Sequence, residues 1–129
     1  MAAPSHPLAF PDPRLTELAR LASVVCGAPV ALIALSENDR LLVAGRHGTG
    51  AMELPGSAEP VTHTLTHTDI VEVSRHGSAD DFPLSLDGPP IQFYAGAAIR
   101  TAGGQPLGLV CVMDHRTRPL SADQRARLL

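Results

Sequence analysis

Two stretches near the end of the chain decide the fold: FYAGAAIR at Phe93–Arg100 and PLGLVCVMD at Pro106–Asp114. Each consists almost entirely of small and apolar residues, which is typical of a strand covered on both faces. Between them, Ala102, Gly103 and Gly104 allow the tight turn that antiparallel neighbours need. The sequence therefore predicts an antiparallel hairpin in the middle of a covered sheet.

The first third of the chain predicts a helix and a second hairpin. Asp12 suits the helix cap, Pro13 suits the first helical position, and Gly27 is expected to end the helix. The apolar run at residues 29–35 is too short for a helix and predicts a strand. We expect a turn after it to lead into an antiparallel strand at residues 41–44.

The middle of the chain has weaker signals. Residues 45–56 are glycine-rich and predict a loop, residues 61–68 a short helix, and residues 70–73 a short strand. Residues 74–90 form a long irregular segment rich in Ser, Asp, Gly and Pro. Loops of this length inside a compact domain are uncommon and often functional.

The two ends of the chain differ. Residues 1–12 contain several prolines and no periodic pattern, and we expect a flexible leader there. Ser121 and Gln124 match a capping box, which predicts the start of a last helix. No stop signal follows before Leu129, so we expect this helix and the protein to continue. The folded domain is accordingly assigned to residues 13–129.

Composition restricts the function classes. A chain of 129 residues fits one domain, and a formal net charge of −3 argues against nucleic-acid binding. Cys26 and Cys111 lie far apart in apolar runs, which predicts buried free thiols instead of a disulfide or metal framework. The chain has no apolar stretch long enough to span a membrane and no evident secretion signal, so a cytoplasmic protein is expected.

The closing hairpin resembles a pattern of the GAF domain family, FYAGAPL…G..LGTLCVID. Residues 118–121, RPLS, are similar to the family's turn into the last helix, and residues 15–35 to its opening helix and first strand. The resemblance implies an α+β fold with an antiparallel sheet of five or six strands. The terminal helices would pack on one face, and loops with a short helix would cover the other.

The function that this resemblance implies is regulatory. A non-catalytic sensory domain would bind a small molecule between the sheet and residues 61–92. It would form a homodimer through its terminal helices and signal to an output domain beyond residue 129. Such a role involves no nucleic acid and no membrane, and the sequence leaves the cofactor unidentified.

One departure from the family pattern concerns the short central helix. Many related domains have a segment similar to SFCAHAI there. Aligned without gaps, its Cys falls on Val61 and its His on His63. A thiol function at that position is therefore missing from this chain.

Several polar residues are candidates to contact a ligand. His63 and His67 are four residues apart and share one side of a helix. Zinc peptidases use that spacing with Glu after the first His, but Thr64 stands there and no clear third ligand follows, so no metal site is predicted. Charged residues of the long loop and Tyr94 complete the set. The candidate ligand-binding residues are His63, His67, Arg75, His76, Asp81 and Tyr94.

Two other classes of function stay open. The domain is alternatively a ligand-free module for dimerisation or protein docking, since Val61 replaces the family Cys. It is otherwise a redox domain that binds haem through a histidine or uses a thiol, as one enzyme branch of this fold does in reducing free methionine sulfoxide. Thiol chemistry needs an exposed cysteine of low pKa, and neither Cys26 nor Cys111 has such surroundings in the sequence.

Overall fold

The computed structural model describes residues 11–37, 40–54, 59–74, 91–116 and 121–128. Within these ranges the chain forms three helices and one six-stranded sheet in which every strand pair is antiparallel. The elements in chain order are α1 (Pro13–Cys26), β1 (Val30–Glu37), β2 (Arg40–His47), β3 (Glu53–Leu54), α2 (Glu59–Thr66), β4 (Val71–Ser74), β5 (Phe93–Arg100), β6 (Pro106–Asp114) and α3 (Ala122–Leu128). The order across the sheet is β3-β2-β1-β6-β5-β4.

The predicted closing hairpin is confirmed at both of its strands. β5 and β6 pair antiparallel, with Gly96 opposite Cys111. Gly104 has a φ of 87°, a left-handed conformation that glycine adopts without strain, and it lies in the turn between them. β1 pairs with the other edge of β6. The hairpin therefore lies in the middle of the sheet, as the sequence indicates.

The first hairpin is also confirmed, but the loop prediction for residues 45–56 is wrong at residues 45–47 and 53–54, which are strands. β2 continues to His47, and Glu53–Leu54 forms a further short strand against β2. Two residues are too few to give a periodic pattern, and the pairing depends on β2 as a partner. The periodicity of the sequence therefore could not predict β3.

Helix α1 begins and ends at the predicted caps. The Asp12 carboxylate accepts a hydrogen bond of 2.8 Å from the Arg14 backbone N–H, and Gly27 is left-handed at φ 63°. The Arg14 side chain also bonds this carboxylate and lowers the pKa of Asp12. The Asp12 backbone N–H donates to the Ala44 carbonyl oxygen at 2.7 Å, which fixes the start of α1 on β2.

Alternate residues of the strands supply two apolar cores on opposite faces of the sheet. The α1 core lies under α1 and contains Ala19, Cys26, Ala28, Ala31, Ile33, Ile70, Phe93, Ala95, Ala97 and Val112. The α2 core lies under α2 and contains Val30, Leu32, Ala34, Leu41, Val43, Leu54, Val61, Ile91, Tyr94, Leu109, Cys111 and Met113. Coverage of both faces explains why β1, β5 and β6 are apolar along their length.

Helix α3 packs beside α1 on the same face. The Ser121 backbone N–H donates to Gln124 Oε1 at 3.0 Å, and the Gln124 N–H donates to Ser121 Oγ at 3.1 Å, which confirms the capping box. The Gln124 amide also reaches the Val25 carbonyl oxygen at 3.4 Å, and Leu128 packs against the α1 core. Among the described residues, no helix is long and apolar enough to cross a membrane.

Candidate functional site

The face of the sheet under α2 is the candidate ligand site. Helix α2 crosses β5 and turns Val61 and Thr64, both fully buried, toward the sheet. Leu65 is half-buried against the same core. This helix and the apolar strands beneath it give the mainly apolar surroundings with few polar groups that are typical of small-molecule sites.

One polar pair lies inside the α2 core. The hydroxyl oxygens of Thr64 and Tyr94 are 2.7 Å apart, and both side chains are fully buried. The Thr64 hydroxyl donates its only proton to the Pro60 carbonyl oxygen at 2.7 Å, so the Tyr94 hydroxyl donates to Thr64. Burial raises the pKa of Tyr94 well above its usual value and keeps this donor protonated.

Gly96 makes room for that pair. Gly96 lies two residues after Tyr94 on β5 and faces the same side of the sheet. A Cβ atom at Gly96 would overlap the Tyr94 hydroxyl and lie 3.1 Å from Thr64 Oγ1. The tyrosine ring therefore extends along the strand over the glycine. Sequence reasoning missed the role of Thr64, whereas a glycine inside a strand, as at Gly96, is a signal of close approach that the sequence does carry.

Arg100 holds the end of α2 against the closing hairpin. Its Nη2 donates to the carbonyl oxygens of Leu65 at 2.9 Å and His67 at 2.7 Å, and its Nη1 donates to Gly104 at 3.1 Å. The last carbonyls of a helix lack partners within the helix and carry partial negative charge. The guanidinium supplies both hydrogen bonds and charge there, a role that sequence reasoning also missed.

The structure separates the candidate residues predicted from sequence. His63 and His67 are neighbours, with ring centroids 5.6 Å apart, but both are exposed on the solvent side of α2. Tyr94 lies on the opposite, buried side of this helix. Arg75, His76 and Asp81 lie outside the described residues. These contacts therefore do not test the prediction that all six residues bind one ligand.

Both cysteines of the chain are buried and neither forms a disulfide, as the sequence predicts. Cys111 belongs to the α2 core and is fully buried, and this burial raises its pKa to about 12. A thiol with such a pKa is almost entirely protonated near neutral pH and is a poor nucleophile. In the described part of the chain, His, Cys, Asp and Glu do not gather in any group of three or more that would hold a metal ion.

Helix α1 has an apolar stripe on its outer side. Leu18, Leu21 and Val24 are 54%, 57% and 70% exposed, and their spacing of three residues places them along one side of the helix. Next to the stripe, a groove of about 150 Å³ opens between α1 and α3. Its lining comprises Leu18, Leu21, Ala22, Val25, Cys26, Val110, Arg127 and Leu128. Large apolar side chains exposed together indicate a surface that contacts another protein.

Comparisons with known proteins agree with this geometry. The family model of the GAF domain matches residues 11–129. A cyclic di-GMP phosphodiesterase of Pseudomonas aeruginosa is 27% identical over 122 residues, which cover 92% of this chain and 21% of that protein. The chain thus spans about a fifth of the length of this relative.

Solved structures show the same fold. The GAF domain of an Acinetobacter phosphoenolpyruvate-protein phosphotransferase superposes with a TM-score of 0.72 at 15% identity, covering 87% of this chain and 71% of that one. The type II free methionine-R-sulfoxide reductase of Thermoplasma acidophilum superposes with a TM-score of 0.70 at 18% identity, covering 92% of this chain and 84% of that one. The fold is therefore shared by a GAF domain of a phosphotransferase and by a reductase.

Proposed function

The chain belongs to the GAF domain family, and from this premise we propose that it is a non-catalytic sensory domain for a small molecule. GAF domains are typically regulatory domains that bind small molecules. The ligand binds between the sheet and residues 61–92, where α2 covers the α2 core. The observation that carries this proposal is the buried Thr64–Tyr94 pair, a polar contact enclosed by apolar strands.

Ligand binding on this face involves movement of α2. Thr64 and Tyr94 are fully buried and already hydrogen-bonded to each other, so a ligand reaches Tyr94 only when α2 separates from it. A ligand that favours the separated arrangement then shifts the population of the domain toward it. His63, His67, Arg75, His76, Asp81 and Tyr94 remain the proposed contacts. Their chemistry fits a polar or anionic small molecule.

A thermal-shift screen of nucleotides, cyclic dinucleotides and small metabolites tests this proposal. A ligand that binds only the folded chain raises the melting temperature as its concentration increases. Alanine at His63, Arg75 or Tyr94 should then weaken the shift. If no compound binds, and these substitutions leave signalling by the intact protein unchanged, the proposed site is wrong.

We further propose that the domain is a cytoplasmic homodimer and signals through its terminal helices. The α1 stripe supports this. Leu18, Leu21 and Val24 are apolar and exposed on α1, and α3 lies beside it. A ligand that moves α2 and the sheet changes how these helices pair in the dimer. An output domain beyond residue 129 would receive this change. A regulatory segment of a longer protein is consistent with the share of the Pseudomonas relative that the chain covers.

A ligand-free dimerisation module is the second candidate function. The observation that favours it is the close packing under α2, where Tyr94, Thr64 and Val61 are all fully buried. In that case the screen finds no ligand, while substitutions in the α1 stripe still abolish signalling. The two candidate functions therefore differ in whether the thermal-shift screen finds a ligand. Both predict that substitutions in the α1 stripe abolish signalling.

Thiol or haem chemistry is the least supported function. The Thermoplasma neighbour is a reductase, but at 18% identity it indicates the fold alone. Titration of the native chain with a thiol reagent tests the redox alternative, because a catalytic cysteine reacts at once and a buried one reacts only after unfolding. An absorption spectrum of the purified chain tests haem binding, since bound haem gives a Soret band.

A further inference from the structure

We propose that His63 and His67 form a binding site for a divalent transition-metal ion, with Zn²⁺ or Ni²⁺ as ligand, on the solvent side of α2. The inference goes beyond the proposed small-molecule site, which shares His63 and His67, and its test uses metal ions alone. It rests on how the structure places the two imidazole rings, on a hydrogen bond that orients one of them, and on their exposure.

The distance between the rings fits a shared metal ion. The two ring centroids are 5.6 Å apart and the ring planes meet at 49°. When two imidazoles bind one zinc ion, with Zn–N distances of about 2.0–2.1 Å and tetrahedral angles, their centroids are about 5 to 6 Å apart. The spacing of the two rings therefore matches that of two imidazoles on one metal ion.

One ring is already held in an orientation suited to a ligand. His67 Nδ1 lies 2.7 Å from the His63 carbonyl oxygen, an acceptor, so Nδ1 carries the proton and donates it. The lone pair of Nε2 is therefore available. Metal-binding histidines in proteins characteristically donate their second nitrogen to a carbonyl or carboxylate, which fixes the tautomer and the ring orientation.

The site is open to solvent. Both histidines are exposed, and no group of three or more metal-binding side chains lies among the described residues. Two imidazoles from the protein and water in the remaining positions complete the coordination. Imidazole nitrogen favours Zn²⁺ and Ni²⁺, whereas Mg²⁺ prefers oxygen ligands.

A metal ion bound to His63 and His67 would stabilise the last turn of α2. The helix has only eight residues, and helices of that length are not stable alone in water. Thr64 holds its inner side and Arg100 holds its end. A metal ion that joins His63 to His67 adds a third attachment on the outer side. Metal binding therefore stabilises the cover of the α2 core.

Equilibrium dialysis of the untagged chain against Zn²⁺ and Ni²⁺ tests the site. We expect His63→Ala and His67→Ala each to weaken binding of one ion per chain by about tenfold or more, because each variant loses bidentate attachment. His47→Ala should have no effect. The double variant Thr62→His/His67→Ala keeps the number of histidines but not their spacing, and it should bind as weakly as His67→Ala.

Thermal unfolding gives a second readout. Zn²⁺ should raise the melting temperature of the wild-type chain but not that of His63→Ala, while Mg²⁺ should raise neither. Melting curves without metal check that the exposed substitutions leave the fold intact. The proposal is overturned if either single variant binds like the wild type. It is equally overturned if Thr62→His/His67→Ala retains wild-type affinity, or if Zn²⁺ stabilises His63→Ala as much as the wild type.

Discussion

At the residue scale, Tyr94 and Gly96 depend on each other. The tyrosine hydroxyl occupies the space over a glycine that has no side chain, and from there it reaches Thr64 on α2. This hydrogen bond joins the helix to the sheet inside the α2 core. It therefore helps to decide how closely α2 lies on the sheet.

Gly96→Ala is expected to destabilise the chain. The added methyl group would overlap the Tyr94 hydroxyl, and either the ring or α2 would have to shift. Overpacking of this kind lowers the free energy of unfolding by about 1 to 3 kcal/mol, which urea denaturation measures. Gly103→Ala is the matched control, because its nearest neighbour would be Thr101 Oγ1 at 3.8 Å. Equal losses in the two variants would contradict the assignment to the Tyr94 contact.

Cys111 should make the chain less stable at alkaline pH. In the unfolded chain this thiol has its ordinary pKa of 9.0, and in the folded chain burial raises its pKa to about 12. Above pH 9 the unfolded state releases the proton while the folded state keeps it, so rising pH favours unfolding.

Between about pH 7.5 and pH 10, this thiol is expected to lower the free energy of unfolding by about 1.4 kcal/mol. Urea unfolding under reducing conditions at both pH values measures it. Cys111→Ala removes the thiol and should remove this part of the pH dependence, whatever its effect on stability at the lower pH. Wild type and variant with the same pH dependence would show that the thiol does not contribute.

Single-residue predictions from the sequence succeed where the signal is local. Asp12, Gly27 and the Ser121–Gln124 capping box are confirmed, because each acts on the backbone within a few residues. The contact between Thr64 and Tyr94 spans thirty residues in the chain. Val61 and Leu65, four residues apart, mark the inward side of α2. No local pattern indicates that Tyr94 lies beneath that side, so sequence reasoning placed the histidines and Tyr94 in one site.

At the scale of elements, α2 is the helix whose position matters most for the proposed function. It is short, and it is attached to the sheet through Thr64 beneath it and Arg100 at its end. Of these two, Arg100 comes from the closing hairpin. The hairpin that identifies the fold therefore also anchors the cover of the proposed site.

Arg100→Ala should loosen α2 without unfolding the sheet. The variant leaves the carbonyl groups of Leu65 and His67 without their charged donor, and hydrogen bonds to charged groups contribute about 1.5 to 3 kcal/mol. We expect amide hydrogen exchange in α2 to become about tenfold faster or more. Arg40→Ala breaks an exposed ion pair with Glu53 and should leave exchange in α2 unchanged.

Among the elements, the sequence predicts long apolar strands and capped helices well. β5, β6 and α1 are found where the patterns place them, because covered strands and capped ends have strong local signals. β3 is missed because two residues are too few to show a periodic pattern. They form a strand only through their pairing with β2. Residues 74–90, predicted as a functional loop, are described only at Ser74, which belongs to β4.

At the scale of the whole molecule, the sheet separates two functions that the proposal assigns to its two faces. The α2 core lies on the side of the ligand, and the α1 core lies on the side of the dimer. Both cores meet in the same strands, since adjacent residues of β1, β5 and β6 point to opposite faces. A displacement of α2 therefore acts on the strands that also carry α1.

Substitution in the α1 stripe should dissociate the proposed dimer. Leu21→Glu places a charge at the centre of the exposed apolar side of α1, where burial against a second copy would be unfavourable. Analytical ultracentrifugation should show a dimer for the wild type and a monomer for the variant. Leu107→Glu is the control, because Leu107 is also exposed but lies on β6, away from α1. A monomeric wild type would contradict the dimer.

The layered architecture was predictable from sequence, and the contents of the proposed site were not. Continuous apolar strands require cover on both faces, and the family resemblance supplies the sheet and the positions of the terminal helices, which the structure confirms. The proposed ligand site depends on which strand residues lie beneath α2, and hydrophobic periodicity does not indicate such packing between segments distant in the chain. Its candidates Arg75, His76 and Asp81 lie outside the described residues.

Tyr94 also gives the domain a built-in optical reporter. The chain has one tyrosine and no tryptophan, so its intrinsic fluorescence comes from this single ring. That ring is fully buried beneath α2, and its hydroxyl is hydrogen-bonded to Thr64 of this helix. Any compound that lifts the helix exposes the phenol to water and changes its emission, without a label or an engineered chromophore. Opening of the cover is thus observable in the unmodified protein.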